Sequence, residues 1–435
     1  MRDSTIASLS ARRVWDSRGC PTVEVEVRTA GGAIGRAIAP AGASRGSREA
    51  LDLRDGGSKL GGKDVKGAIA AVNDKIAPVL FGRDVCDQAG ADAAMIALDG
   101  TPFKSALGGN AIVATSLAIL HAAAAAKETA LWQHIASSYG RTPTIPLPEI
   151  QIFGGGAHAG RRVDVQDFMI MVPGASSLDE VFEITAEVYA AAGKIMAQKG
   201  KSVGVADEGG WWPMFDSNEE ALSTLVDAIE LAGETPGDRV VISLDIAASE
   251  FGSAGKYRLA LEDRELDSDQ MIALLGGWLD NYPIVSIEDP LAEGDTEGMR
   301  AFTEAYGDRV QIIGDDYLVT NAAFLKEAAQ IGACNAVLIK VNQAGTVTES
   351  VDTFKAAETA GYHCVVSARS GETEDTSISH LATGLGAGQL KVGSFTRSER
   401  MAKWNECLRI QDNAPSCVFV AGQPLVKTWW GKKGN

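Results

Sequence analysis

The stretch TVEVEVRT (22–29) alternates strictly, with Val23, Val25 and Val27 on one face and Glu24, Glu26 and Arg28 on the other. A period of two with one polar face predicts an antiparallel strand that has a core on one side and water on the other. The next segment, GAIGRAIAPAGASRGSREALDLRDGG (32–57), predicts a strand running into a Gly/Ser/Arg loop. From about Val65 to Ala126 the apolar spacing becomes helical. The proline-rich break RTPTIPLPEI (141–150) predicts a boundary between one domain over 1–140 and a second over 141–435.

Beyond that break one pattern repeats. A short apolar run ends on a polar residue, and a helical pattern follows: VVISLDI ends at Asp245, PIVSIEDP at Glu288, VQIIGDD at Asp315, AVLIKVN at Lys340, CVVSARS at Arg369 and GQLKVGS at Lys391. Runs this apolar predict strands buried on both faces, hence parallel strands covered by helices. Their spacing of roughly 20–45 residues leaves room for a helix each time, so the α/β pattern predicts a TIM-like barrel. In such a barrel the polar residues at the C-terminal strand ends gather at one mouth, where the chemistry belongs.

Composition narrows the picture without changing it. The chain is 45% apolar and 22% charged, an ordinary globular balance. No apolar run reaches the ~18 residues of a membrane helix; the longest, AIVATSLAILHAAAAA (111–126), is interrupted by Thr115, Ser116 and His121. The N-terminus MRDSTIASLSARRVWDSRG has no apolar signal core, which points to the cytoplasm and away from a membrane partner. Six scattered cysteines without a CxxC pair read as reduced thiols. A net charge of −17 argues against a nucleic-acid partner and suits divalent cations.

The candidate chemistry lies at the strand ends. Asp245, Glu288 and Asp315 end three successive strands, and three converging carboxylates repel one another unless a cation neutralises them. Oxygen-only donors favour Mg²⁺. Lys340 and Lys391 end two further strands; a lysine beside Mg²⁺ and other cations has its pKa lowered and can act as a base. GVADEGGWWP (204–213) brings Asp207 and Glu208 before a Gly–Gly turn, and GGGAHAGRRVDVQDF (154–168) brings His158, Gln166 and Asp167.

Read together, these stretches resemble the enolase family over nearly the whole chain. DSRGCPTVEVEV, GASRGSREALDLRDG, GGAHAG, DEGG, SLDIAASEF, SIEDP, GDDYLVTN, IKVNQAGTVTES, SARSGETEDT and RSERMAKWNE follow its order and spacing. The resemblance implies a ββαα(βα)6 barrel behind an N-terminal α+β capping domain, two Mg²⁺ ions, a homodimer, and a hydro-lyase converting 2-phosphoglycerate to phosphoenolpyruvate. It assigns Asp245, Glu288 and Asp315 to one Mg²⁺ and Ser44, on a mobile loop, to the second. Lys340 becomes the base at C2 and Lys391 the support for the substrate carboxylate. Glu208 is the acid at the leaving hydroxyl, His158 is an active-site histidine, and Arg369, Ser370 and Gln166 hold the phosphoryl group.

The chain also departs from the family pattern. Ala368 stands where enolases have His beside the leaving group, and His363, five positions back, faces the other way. Asp167 replaces Glu, Gly154 replaces Asn, Arg45 replaces Thr, Arg48 adds charge, and Trp211 and Trp212 follow DEGG. Lost bulk at Ala368 and Asp167, together with added charge at Arg45, points to a larger and more anionic substrate. The family's carboxyphosphonoenolpyruvate synthases, from phosphinate antibiotic biosynthesis, dehydrate such a compound, 2-phosphonoformylglycerate. The alternatives are an ordinary enolase and a catalytically inactive enolase-like binding protein.

Overall fold

The computed structural model describes residues 3–43 and 45–433. The alternating segment forms the middle of a three-stranded antiparallel sheet, β1 (Ile6–Trp15), β2 (Pro21–Thr29) and β3 (Ile34–Ile38). Val23, Val25 and Val27 are fully buried in the core, where the sheet packs on the helix Gly109–Ala126. The other face is not wet as expected, because Glu24 and Glu26 are each only 7% exposed. Arginines of all three strands seal them: Arg12 lies 2.5 Å from Glu24, while Arg36 and Arg28 lie 2.6 and 2.7 Å from Glu26. The hydrogen bond from Arg36 is the main reason the Glu26 carboxyl sits at about 2.

The helix Gly109–Ala126 has 18 residues and a mean hydropathy of 1.5, longer than the apolar run read from the sequence. It is a core helix, 89% buried inside the protein. Its polar interruptions are satisfied there: the Thr115 hydroxyl donates to the Ala111 carbonyl (2.8 Å) and the Ser116 hydroxyl to Asp92 (2.6 Å). Gly35 lets β3 touch the helix backbone, since a Cβ there would lie 2.1 Å from the Ala118 oxygen and 2.2 Å from the Ala122 nitrogen.

The second part is a closed eight-stranded barrel. It runs through β4 (Leu147–Gly154), β5 (Asp167–Met171) and β6 (Val241–Asp245). A small antiparallel sheet follows, β7 (Gly252–Ser253), β8 (Lys256–Leu259) and β9 (Arg264–Asp267). The barrel then continues with β10 (Ile284–Glu288), β11 (Gln311–Gly314), β12 (Ala336–Ile339), β13 (His363–Ser367) and β14 (Gly388–Ser394), which pairs back to β4. β5 is antiparallel to both neighbours, and two helices, Leu178–Gln198 and Asn218–Leu231, precede β6. This is the ββαα(βα)6 order that the resemblance implied. Helix starts carry side-chain caps, among them Ser177, Ser217, Asp295, Asn321 and Thr346. Val420 and Leu425, near the C-terminus, join Leu147, Met171, Val241 and Val285 in a separate apolar cluster.

The segment after β3 lies over the barrel mouth. Ala41 pairs with Gly371, Ser47 N–H donates to Glu293 (3.0 Å) and Ala50 N–H donates to the Gln343 carbonyl (2.8 Å). Arg48 stacks on Phe324, 4.2 Å from the ring centroid, and donates to the Tyr317 carbonyl.

The contact at Gly35 yields a stability test. Gly35→Ala pushes a methyl group into helix backbone that cannot rotate away, so it should cost at least about 1–3 kcal/mol. A lower urea midpoint is expected; an unchanged midpoint would mean that sheet and helix separate without penalty.

Candidate active site

Asp245 and Glu288 are the last residues of β6 and β10 and stand opposite each other in register. Asp315 and Lys340 each follow directly on the last residue of β11 and β12. Lys391 does not end its strand as expected; it is the fourth of seven residues in β14. It pairs in register with Ser367 and Glu149, and its side chain still reaches the mouth. The Lys391 ammonium donates to Asp245 and to Glu288, both at 2.7 Å, with Asp167 at 3.6 Å. The Lys340 ammonium donates to Asp315 at 2.5 Å, and the Gln343 amide donates to the other oxygen of Asp315 at 2.8 Å.

Burial disfavours the Lys340 ammonium, but Asp315 outweighs burial and raises its pKa. Lys391 is raised further, against burial, by Asp245 and Glu288. Burial, then Asp245, drives the Glu288 carboxyl well above the usual range. The ammonium groups thus occupy the charge-neutralising role that a cation would share.

The fit to Mg²⁺ follows from the donors. Asp245, Glu288 and Asp315 are 2%, 0% and 5% exposed, all oxygen ligands, and Glu288 Oε1 is buried without a hydrogen-bond partner. Among the described residues, the trios whose ligand atoms lie within 4.8 Å of one another are Asp289–Asp315–Asp316 and His158–Asp167–Glu208. Asp245, Glu288 and Asp315 together are not among these trios; Lys391 bridges the first two and Lys340 holds the third. Asp289, with φ of 39°, accepts the backbone N–H groups of Asp315 and Asp316 (2.9 and 2.7 Å) and so ties the end of β10 to that of β11. Ser44 lies outside the described residues.

A second cluster faces the first. His158 Nδ1 donates to Asp167 Oδ1 at 3.0 Å, and Nε2 lies 3.7 Å from Glu208. Burial opposes charge on His158, yet Glu208 and Asp167 together raise it to about 9. Asp167 is correspondingly held at about 2: burial opposes its charge, and His158 outweighs it. Gln151 also donates to Asp167 and accepts the Gly210 N–H at 2.9 Å.

The third cluster carries the anion-binding candidates. Arg369 is bound bidentately by Glu49 from the loop, at 3.1 and 3.3 Å. The Ser370 hydroxyl accepts from Ala43 N–H (2.6 Å) and Arg18 (3.3 Å). The fully buried Arg400 donates to the carbonyls of Arg369 (2.7 Å) and Ser370 (2.5 Å), which pins this turn. Gln166 donates to Asp245 at 3.1 Å and keeps a buried, unpartnered carbonyl oxygen. Ala368 lines the cleft with His158, Glu208, Lys340 and Lys391. Arg45 sits outside it, exposed, and touches Asp52 at 3.4 Å.

Between these clusters the free volume is about 20 Å³, room for roughly one water. A roomier cavity of about 240 Å³ between Arg48, Lys104, Asn321 and Thr353 lies away from this charge. Chemistry, not size, marks the site.

Sequence reasoning missed Gln151, Glu49, Arg18 and Gln343. Glu49 lies in the same loop motif as Arg45, and Arg18 in DSRG, so both were within quoted stretches. Gln343 lies in IKVNQAGTVTES, also a quoted stretch, whereas Gln151 carries no charge and lies in no quoted motif. Trp211 stacks on Tyr189 (5.0 Å) and donates to its carbonyl, a packing role for that departure.

Two family descriptions match the chain: "Enolase, N-terminal domain" over residues 6–135 and "Enolase, C-terminal TIM barrel domain" over 142–428. The chain is also similar to Enolase 1 of Desulfitobacterium hafniense (strain Y51). The two are 48% identical over 415 residues, which cover 95% of this chain and 94% of that one.

The carboxylate geometry predicts a metal response. Asp245→Asn, Glu288→Gln and Asp315→Asn should each weaken Mg²⁺ binding by more than about tenfold, because even outer partners of a metal site are worth that much. Titration calorimetry reads this directly, and wild-type affinity in all three variants would overturn the assignment.

Proposed function

The chain belongs to the enolase family and is a hydro-lyase of that type, and on this premise we propose that its substrate is 2-phosphonoformylglycerate, dehydrated to carboxyphosphonoenolpyruvate. The observation that carries this reading is Ala368, a methyl group lining the cleft beside Glu208 and His158 where the family pattern has an imidazole. In this reading the side-chain bulk missing at 368 leaves room, once substrate enters, for the extra carboxylate that this compound bears on phosphorus. Arg45 is the matching cation: its contact to Asp52, at 3.4 Å, is long and exposed, so turning inward sacrifices little.

In this reading Asp245, Glu288 and Asp315 would hold one Mg²⁺ and Ser44 would contribute to a second. Such ions would supply positive charge that stabilises the developing enolate. Lys340, freed from Asp315 when other positive charge takes over that carboxylate, gives its extra proton to solvent and, as the neutral amine, accepts the C2 proton. Lys391 donates hydrogen bonds to the carboxylate oxygens, where charge develops only in the transition state. The C2 electron pair forms the C2–C3 double bond, and the C3 hydroxyl leaves as water with a proton that the charged His158 passes to Glu208 and Glu208 passes on. Asp167 holds the His158 ring in place for this transfer. Arg369, Ser370 and Gln166 take the phosphorus-bearing end. We further read the chain as a cytoplasmic homodimer divided near residue 140.

A second reading is favoured by one finding. Identity of 48% over 95% of the chain to a protein named Enolase 1 fits an ordinary enolase acting on 2-phosphoglycerate. The intact lysines and carboxylates set aside a catalytically inactive scaffold.

Turnover of the two glycerates side by side, followed by enol absorbance, decides between the readings. A charge-assisted hydrogen bond is worth about 1.5–3 kcal/mol, or roughly tenfold to a hundredfold. Arg45→Ala should lower kcat/KM by that factor for the phosphonoformyl substrate and far less for 2-phosphoglycerate. Ala368→His should exclude the larger substrate while sparing the smaller. Equal effects on both would replace this reading with the ordinary enolase.

Lys340→Ala tests the base. It should keep metal and substrate binding but lose exchange of the C2 proton with solvent, measured by deuterium incorporation. Exchange at the wild-type rate would move the role to Lys391.

A further inference from the structure

Two departures from the family pattern, the short Asp167 and the small Gly154, meet on one buried side chain. Gln151, on β4, is fully buried, and its amide is used at both ends. Nε2 donates to Asp167 Oδ1, the oxygen that also accepts from His158, and Oε1 accepts from Gly210 N–H at 2.9 Å. Gly210 lies two residues beyond Glu208 in the DEGG turn. The backbone is shaped around this amide. A Cβ at Gly210 would lie 2.4 Å from Gln151 Oε1, and one at Gly154 would lie 3.1 Å from the same atom and 2.7 Å from the Ala206 Cβ. Gln151, Asp167, His158 and Glu208 therefore form a ring that closes through the backbone of the turn.

We propose that Gln151 is a positioning residue for the leaving-group end of the site: it supplies the reach that Asp167 lacks by one methylene and fixes the turn that presents Glu208. The inference rests on the reading of Asp167, His158 and Glu208 as that end. It adds to that reading that the residues at 151, 154 and 167 are matched in length. A shorter amide at 151 leaves a gap to Asp167 and an unpaired Gly210 N–H, both buried. A longer carboxylate at 167 drives into an amide already in close contact. Exchanging the methylene between the two positions restores the sum.

The experiment compares Gln151→Asn, Asp167→Glu and the double variant, with urea unfolding confirming that each is folded. Each single change should lower kcat about tenfold or more on whichever glycerate the wild type dehydrates, while KM, set at the anion end, changes less than about threefold. The double variant should recover to within about threefold of wild type, a coupling expected only between touching groups. A double variant whose loss equals the product of the single losses overturns the proposal, as does either single variant with wild-type kcat. The ¹⁵N shifts of the His158 ring need no substrate, and only five histidines are present. They should move in Gln151→Asn and return in the double variant. That readout decides the role of Gln151 even if neither glycerate is turned over, an outcome that would overturn the substrate assignment alone. Should Gln151→Asn not fold, Asp167→Glu and the double variant decide through the same recovery of kcat and ring shifts.

Discussion

The site depends on one constraint: carboxylates buried at a barrel mouth must be neutralised without water. Asp167, Asp245, Glu288 and Asp315 are all nearly inaccessible, and each is answered by a cation that itself is buried. Lys391 spans two of them, Lys340 takes a third, and His158 is charged because it faces two carboxylates at once. An unpaired charge in such a place is costly, so the charges are interdependent, and altering one changes the protonation of the others. As ammonium ions the two lysines hold the protein's own carboxylates.

The capping part takes a direct share in this arrangement. Glu49 and Ala43 reach over the mouth to Arg369 and Ser370, and Arg18 reaches Ser370 from the turn after β1. The Ser370 oxygen thus accepts two donors from the cap. The barrel supplies the charged groups, and the cap fixes their orientation. Only about 20 Å³ is free between them.

The barrel was legible because its strands end abruptly: apolar runs stopping on Asp245, Glu288 and Asp315 expose both the layer and its mouth. Legibility failed where a property depends on what lies across space. Glu24 and Glu26 alternate like a wet face, yet arginines of their own and both neighbouring strands seal them. Lys391 reads as a strand terminus, because a polar residue after apolar ones looks the same inside a barrel as at its end. The pKa of Lys340 follows from a carboxylate on the neighbouring strand, 25 residues away. Gln151 was invisible because a neutral amide in an apolar run has no periodicity, and its meaning lies in the two glycines that make room for it. The departures at Gly154 and Asp167 were visible singly; their shared contact was not.

The closure of β14 on β4 has a consequence for how this chain is made. The first barrel strand leaves the ribosome about 230 residues before its partner, a wait of roughly ten to fifty seconds at ordinary rates of synthesis. The cluster joining Val420 and Leu425 to the barrel residues Leu147, Met171, Val241 and Val285 waits longer still. Until then a nascent barrel presents an open edge and apolar strands to its surroundings, an invitation to pair with a neighbouring chain. The sheet of β1–β3 and its core helix, complete within the first 126 residues, have no such delay. Translation therefore delivers the cap early and the barrel last, and a chain cut off short of its final twenty residues would carry a finished cap on a barrel whose terminal cluster has lost its last members.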